Sequence, residues 1–82
     1  MKPENLKLIE TCWACPEQYD VLDPNGDIVG YLRLRHSRFT AHLDDAAGPV
    51  VFEGCPNGDG RFDDEERDRY INQALKAIAA RL

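Results

Sequence analysis

Three arginines lie close together in the middle of the chain, at Arg33, Arg35 and Arg38. A guanidinium group presents planar donors that match the oxygens of carboxylates and phosphates, and it stays charged at physiological pH. Residues 28–43 carry a formal charge of +3 and no acidic residue, whereas the whole chain carries −5 and the remainder therefore −8. The segment predicts a site for an acidic partner, either nucleic acid or a protein surface.

The cysteines form the second group of residues that could carry out chemistry. Cys12 and Cys15 make a Cys-x-x-Cys pair, and Cys55 precedes a proline. With His36 or His42 they would complete the four ligands of a tetrahedral zinc site. A single Cys-x-x-Cys is also compatible with ordinary small buried residues, because free cysteine behaves as a small apolar side chain. An odd number of cysteines argues against a closed disulfide framework.

The acidic and glycine-rich residues 55–66 resemble a calcium-binding EF-hand loop in spacing. Oxygen-bearing side chains fall on the third, fifth, ninth and twelfth positions of that loop: Asn57, Asp59, Asp63 and Glu66. Cys55 takes the first position, where calcium requires an oxygen, and the preceding residues favour a strand rather than a helix. A glycine-rich turn followed by a capped, acidic helix start would produce the same residues, so both interpretations stay open.

These residues depend on a sheet for their positions. Alternating side chains predict strands over residues 28–35 and 38–43. Residues 18–22 and 50–53 are also expected to be strands, and Asp23-Pro24-Asn25-Gly26 is a strong turn signal. A helix is expected from about Asp64 to the end of the chain, with Asp63 as N-cap and Glu66 completing a capping box. Residues 3–13 are compatible with either a short helix or a strand.

The expected fold class is α+β, with the chain as one domain over residues 1–82. Residues 1–17 form an N-terminal segment, 18–53 an antiparallel meander of three to four strands, and 63–82 a C-terminal helix. The apolar helix stripe and the apolar sheet face should cover each other. The opposite sheet face would then expose the predicted partner-binding residues: Tyr31, Arg33, Arg35, Arg38, Thr40 and His42.

Composition narrows the function classes. No run of apolar residues is long enough for a membrane span, and no secretory signal is visible, so a cytoplasmic protein is expected. The only serine is Ser37, no glycine-rich phosphate loop is present, and 82 residues leave little room for a cleft. These features favour a binding module over an enzyme, with a metal-stabilised structural domain as the alternative.

With residues 31–35 (YLRLR) in a strand and 60–62 (GRF) ahead of the helix, the layout of sheet and terminal helix is similar to that of AP2 and integrase N-terminal arm-binding domains, which bind DNA through the outer sheet face. More specifically, residues 15–21 (CPEQYDV), 30–36 (GYLRLRH) and 58–62 (GDGRF) resemble a family of short uncharacterised bacterial and phage-associated proteins. The resemblance spans residues 15–82. It implies a phage or mobile-element context, and no catalytic or binding residues.

Overall fold

The computed structural model describes all 82 residues as one antiparallel five-stranded sheet with one long helix on one face. The strands follow each other in chain order across the sheet. Their bounds are β1 Lys7–Trp13, β2 Glu17–Leu22, β3 Ile28–Arg35, β4 Arg38–Leu43 and β5 Val50–Gly54. The helix α1 spans Asp64–Ala79, and the predicted α+β class is confirmed.

Local sequence explains the tight turns of the meander. Asp23 holds the β2–β3 turn, since its carboxylate accepts the backbone N–H groups of Asn25 at 2.9 Å and Asp27 at 3.0 Å. The β3–β4 turn consists of His36 and Ser37, both at positive φ, which is the geometry of a two-residue hairpin connection.

The number of strands exceeds the expected three to four. Residues 3–13 form a single 3-10 turn at Pro3–Asn5 and then the complete edge strand β1, rather than a short helix. Consecutive residues of β1 pair with β2 until a shift in register between Glu10 and Cys12. This strand adds the fifth member of the sheet and makes the N-terminal segment part of the meander.

The hydrophobic core lies between α1 and the sheet. Leu32, Leu34, Phe39 and Ala41 are fully buried on the sheet face that α1 covers. From the helix, Ile71, Ala74, Ile78 and Ala79 meet them, as the apolar stripe predicts. The predicted pairing of the two apolar faces is therefore confirmed, and no other helix or strand lies on the opposite face of the sheet.

The helix ends earlier than predicted. Its last residue is Ala79, and Leu82 lies beyond it with 47% of its surface exposed. The stripe Ile71, Leu75, Ile78 continues to Leu82 in sequence, but the N–H groups of Arg81 and Leu82 bond three residues back in a tighter turn. The apolar period in the sequence therefore predicted a helix about one turn longer than the one observed, which ends at Ala79.

Candidate anion-binding site

The strand register places the predicted partner-binding residues on one face of the sheet. In the β3–β4 pair Tyr31 lies opposite His42, Arg33 opposite Thr40, and Arg35 opposite Arg38. Cross-strand partners share a face, and residues two apart along a strand share it as well. The face is the one that α1 leaves uncovered.

Within this face a cavity of about 280 Å³ is lined by polar side chains alone: Arg33, Arg35, His36, Arg38 and Thr40. We call it the arginine cavity. Arg35 and Arg38 are exposed at its rim, and Arg33 is half-buried. Neither Arg33 nor Arg35 has a carboxylate within ion-pair distance, so two of the three guanidinium groups have no anionic partner.

Arg38 is different because it has an acidic partner. Its Nε donates to the Glu53 carboxylate on β5 at 2.9 Å, and a second guanidinium nitrogen also contacts that oxygen. Both side chains are about half exposed or more, so the pair is worth only about 0.5 kcal/mol of stability. Glu53 marks the boundary of the basic region on the β5 side.

The expectation that Thr40 and His42 are exposed on this face is wrong, because both side chains are buried. Their exposed fractions are 6% and 8%. The loop after β4 closes over the imidazole, whose Nδ1 lies 3.0 Å from the Gly48 carbonyl oxygen, while Nε2 lies 3.0 Å from the Thr40 hydroxyl. His42 therefore holds the loop and Thr40 in place, and only Thr40 reaches the arginine cavity.

Tyr31 connects the basic region to the neighbouring strand. Its hydroxyl donates to the Gln18 side-chain carbonyl on β2, and its ring lies 5.8 Å from the His42 ring. Burial raises the pKa of the Tyr31 phenol, although the positive charge of Arg33 opposes the rise. Tyr31 is thus a neutral, half-buried side chain that lies beside the arginines.

A second cavity of about 280 Å³ adjoins the first around the β3–β4 turn. We call it the cysteine cavity, and its lining is Cys15, Arg35, His36, Asp59 and Gly60. Arg35 and His36 line both cavities. The Gly60 carbonyl accepts the N–H groups of Cys15 at 2.8 Å and Glu17 at 2.7 Å, which joins the loop 55–62 to the start of β2. Sequence reasoning did not find this second cavity.

The zinc and calcium hypotheses gain no support from these positions. No three His, Cys, Asp or Glu side chains come together as a group that could hold a metal ion. Cys12, Cys15 and Cys55 are free thiols, and the Cys12 Sγ contacts the Ala14 carbonyl oxygen at 3.4 Å. The tetrahedral zinc hypothesis, with His36 or His42 as fourth ligand, stays a prediction.

Glu66, the last of the proposed calcium residues, uses its carboxylate within the loop itself. Both carboxylate oxygens of Glu66 accept backbone N–H groups, from Asn57 and Gly58 at 2.8 Å and from Asp63 at 3.1 Å. An EF-hand needs its twelfth residue as a bidentate metal ligand. Asn57, Asp59 and Asp63 are exposed. The capped-turn interpretation therefore accounts for Glu66, and the predicted capping contact to Asp63 is present.

Sequence reasoning missed a buried ionic network between β2 and α1. Glu17 is 1% exposed and accepts hydrogen bonds from Arg67 Nε at 3.0 Å, from the Phe62 N–H at 2.9 Å and from the Tyr19 hydroxyl. The alternation of Glu17 with Tyr19 and Val21 placed it on the inward face and was the available signal. The network fixes the loop 55–62 that borders the cysteine cavity.

Comparisons with protein-family models, curated proteins and solved structures found no match to this chain. The resemblance to the bacterial and phage-associated family stays a prediction. The single long helix of the fold is too short and too polar to cross a bilayer.

Proposed function

We propose that the protein is a non-enzymatic interaction module that binds an acidic group of a partner in the arginine cavity. The observation that carries the proposal is the pair Arg33 and Arg35, which line one cavity and have no carboxylate partner. Their neighbours there are Arg38, His36 and Thr40, all of which can donate hydrogen bonds.

The electrostatics favour an anion at this position. Arg33 and Arg35 lie on the same side of β3, two residues or about 7 Å apart along the strand, so their like charges are close. An oxyanion between them replaces this repulsion with charge-assisted hydrogen bonds, which are stronger than neutral ones. Arg33 is already half-buried, so part of its hydration is removed before any partner arrives.

Charge reversal tests the proposal. Arg33→Glu together with Arg35→Glu should abolish partner capture from lysate, because the cavity would repel the acidic group that it now attracts. The urea-unfolding midpoint should stay close to that of the wild type, since neither arginine makes an ion pair in the fold.

A matched variant controls for net charge. Lys2→Glu with Arg81→Glu changes the charge equally at two exposed residues outside the strands and α1, and it should capture the partner as the wild type does. Unchanged capture by the Arg33/Arg35 variant would refute the proposal. Equal loss in both variants would assign the effect to overall charge and would refute it too.

A further inference from the structure

Trp13 at the end of β1 is the most exposed large apolar side chain of the protein. It is the only tryptophan in the chain, and 67% of its surface is exposed. The Arg61 guanidinium carbon lies 5.7 Å from the ring centroid, which is cation–π distance. Tryptophan and arginine are among the residue types enriched in the energetically dominant residues of protein interfaces.

Trp13 lies at the same end of the sheet as the arginine cavity but on the other face, because it pairs with Glu17, and Glu17 pairs with the buried Leu34 on the α1 side. Arg61 stacks on Trp13 and directly follows Gly60, whose carbonyl holds the N–H of Cys15. Gly60 and Cys15 line the cysteine cavity, which shares Arg35 and His36 with the arginine cavity. A series of contacting or cavity-sharing residues therefore runs from Arg38 on the uncovered face, around this end of the sheet, to Trp13 on the α1 side.

We propose that the partner is a protein, which places an acidic segment in the arginine cavity and an apolar side chain against Trp13. The inference rests on the proposed function, because the acidic contact is the one proposed there. It adds the class of the partner and a second contact point, and it makes the cysteine cavity the place where the bound segment passes around the end of the sheet from one face to the other.

The charges along this path around the end of the sheet favour a protein over nucleic acid. Asp59 lines the cysteine cavity, and the surface beside Arg61 is lined by Asp63, Asp64 and Glu65. A phosphate backbone that reached Trp13 would carry a negative charge at every nucleotide past these carboxylates, on a protein whose net charge is −5. A protein segment avoids this repulsion because its acidic side chains can be confined to the residues that face Arg33 and Arg35.

The sole tryptophan provides the assay. The probe is a ten-residue peptide with glutamates in one half and leucines spaced by glycines in the other, lacking tryptophan and tyrosine. Its extended length of about 33 Å exceeds the 31 Å longest dimension of the fold. Binding should shift Trp13 emission to shorter wavelength and protect it from acrylamide quenching, because an apolar group replaces water at the ring.

Two substitutions separate the contacts, with affinity measured by anisotropy of the labelled peptide. Trp13→Ala should weaken binding at least about tenfold, and Trp13→Phe should restore most of it. Ile28→Ala is the matched control, since Ile28 is 53% exposed at the opposite end of β3, and it should bind as the wild type does. Arg33→Glu with Arg35→Glu should abolish binding.

Each alternative result has a defined meaning. Peptide binding that requires the arginines but leaves Trp13 emission and the Trp13→Ala affinity unchanged would overturn the inference and leave the proposed function standing. If the variant Arg33→Glu with Arg35→Glu binds every probe as the wild type does, both the inference and the proposed function are overturned. An oligothymidylate of equal charge that binds more tightly than the peptide, and quenches Trp13, would identify nucleic acid as the partner and overturn the inference.

Discussion

Gly60 shows how a single residue shapes the candidate site. Its φ of +77° lies in the left-handed region, and a Cβ atom there would lie 3.1 Å from both Cα and Sγ of Cys15. Only glycine combines that backbone conformation with such a close approach. The same residue accepts the N–H groups of Cys15 and Glu17, so the floor of the cysteine cavity depends on it.

Gly60→Ala should destabilise the fold by about 2–4 kcal/mol, because left-handed backbone strain and overpacking against Cys15 add together. Gly26→Ala is the matched control. Gly26 also has a positive φ, +87°, but a Cβ there would meet nothing within 4 Å, so only the strain of about 1–2 kcal/mol remains. Urea unfolding measures the free energy of unfolding of both variants, and an equal decrease in the two would show that the contact with Cys15 does not contribute to stability.

Glu66 joins two elements, the loop 55–62 and the first turn of α1. Burial acts to raise the pKa of its carboxyl group, but the hydrogen bonds from Asn57, Gly58 and Asp63 outweigh burial, and the pKa lies below its ordinary value. The charged form is therefore the one that the fold stabilises. Spacing alone could not distinguish this arrangement from a calcium loop, since both require a carboxylate at this position.

Glu66→Gln should loosen the loop and the helix start together, at a cost of about 1–2 kcal/mol, because charge-assisted hydrogen bonds become neutral ones. Amide hydrogen exchange at Asn57 and Gly58 should accelerate, while the interior of α1 should keep its relative protection. Glu65→Gln makes the same charge change at an exposed neighbour and should leave those amides unaffected. Unchanged exchange in Glu66→Gln would contradict this role.

Strands β2 to β4 were predictable because apolar and polar side chains alternate along them, as in the run from Leu32 to Arg35. Strand β5 was recognisable only as a short apolar run between loop residues. Strand β1 was not predictable. As an edge strand it buries little, and its register shifts between Glu10 and Cys12, which interrupts the two-residue period. The same residues therefore fitted a helical stripe through Leu6, Ile9 and Trp13 equally well.

At the scale of the whole molecule, antiparallel pairing made the shared face of Arg33, Arg35 and Arg38 predictable from sequence alone. The burial of His42 and the presence of the cysteine cavity were not predictable from sequence, since they depend on where the loops 44–49 and 55–62 fold back onto the sheet. Those placements arise from contacts distant in sequence, which alternation does not encode.

The Glu17 network ties the sheet to the helix start and so should govern the acid stability of the whole molecule. Burial acts to raise the pKa of Glu17, but the hydrogen bonds from Arg67, Tyr19 and Phe62 prevail and lower it from the ordinary 4.5. A folded-state pKa below the unfolded value means that the carboxylate stabilises the fold above pH 4.5. This contribution is lost as pH falls through the folded-state pKa, where Glu17 takes up a proton.

Urea unfolding from pH 7 down to pH 3 should therefore show a steep loss of stability below pH 4.5 in the wild type. Glu17→Gln should cost about 2 kcal/mol at pH 7, because the Arg67 charge loses its buried partner. The difference in unfolding free energy between variant and wild type should narrow as pH falls below 4.5, since the unfolded wild-type chain then takes up a proton at Glu17 that the folded carboxylate resists. Glu4→Gln, at an exposed residue, should follow the wild-type profile; a gap that stays constant across this range would show that Glu17 acts through packing rather than charge.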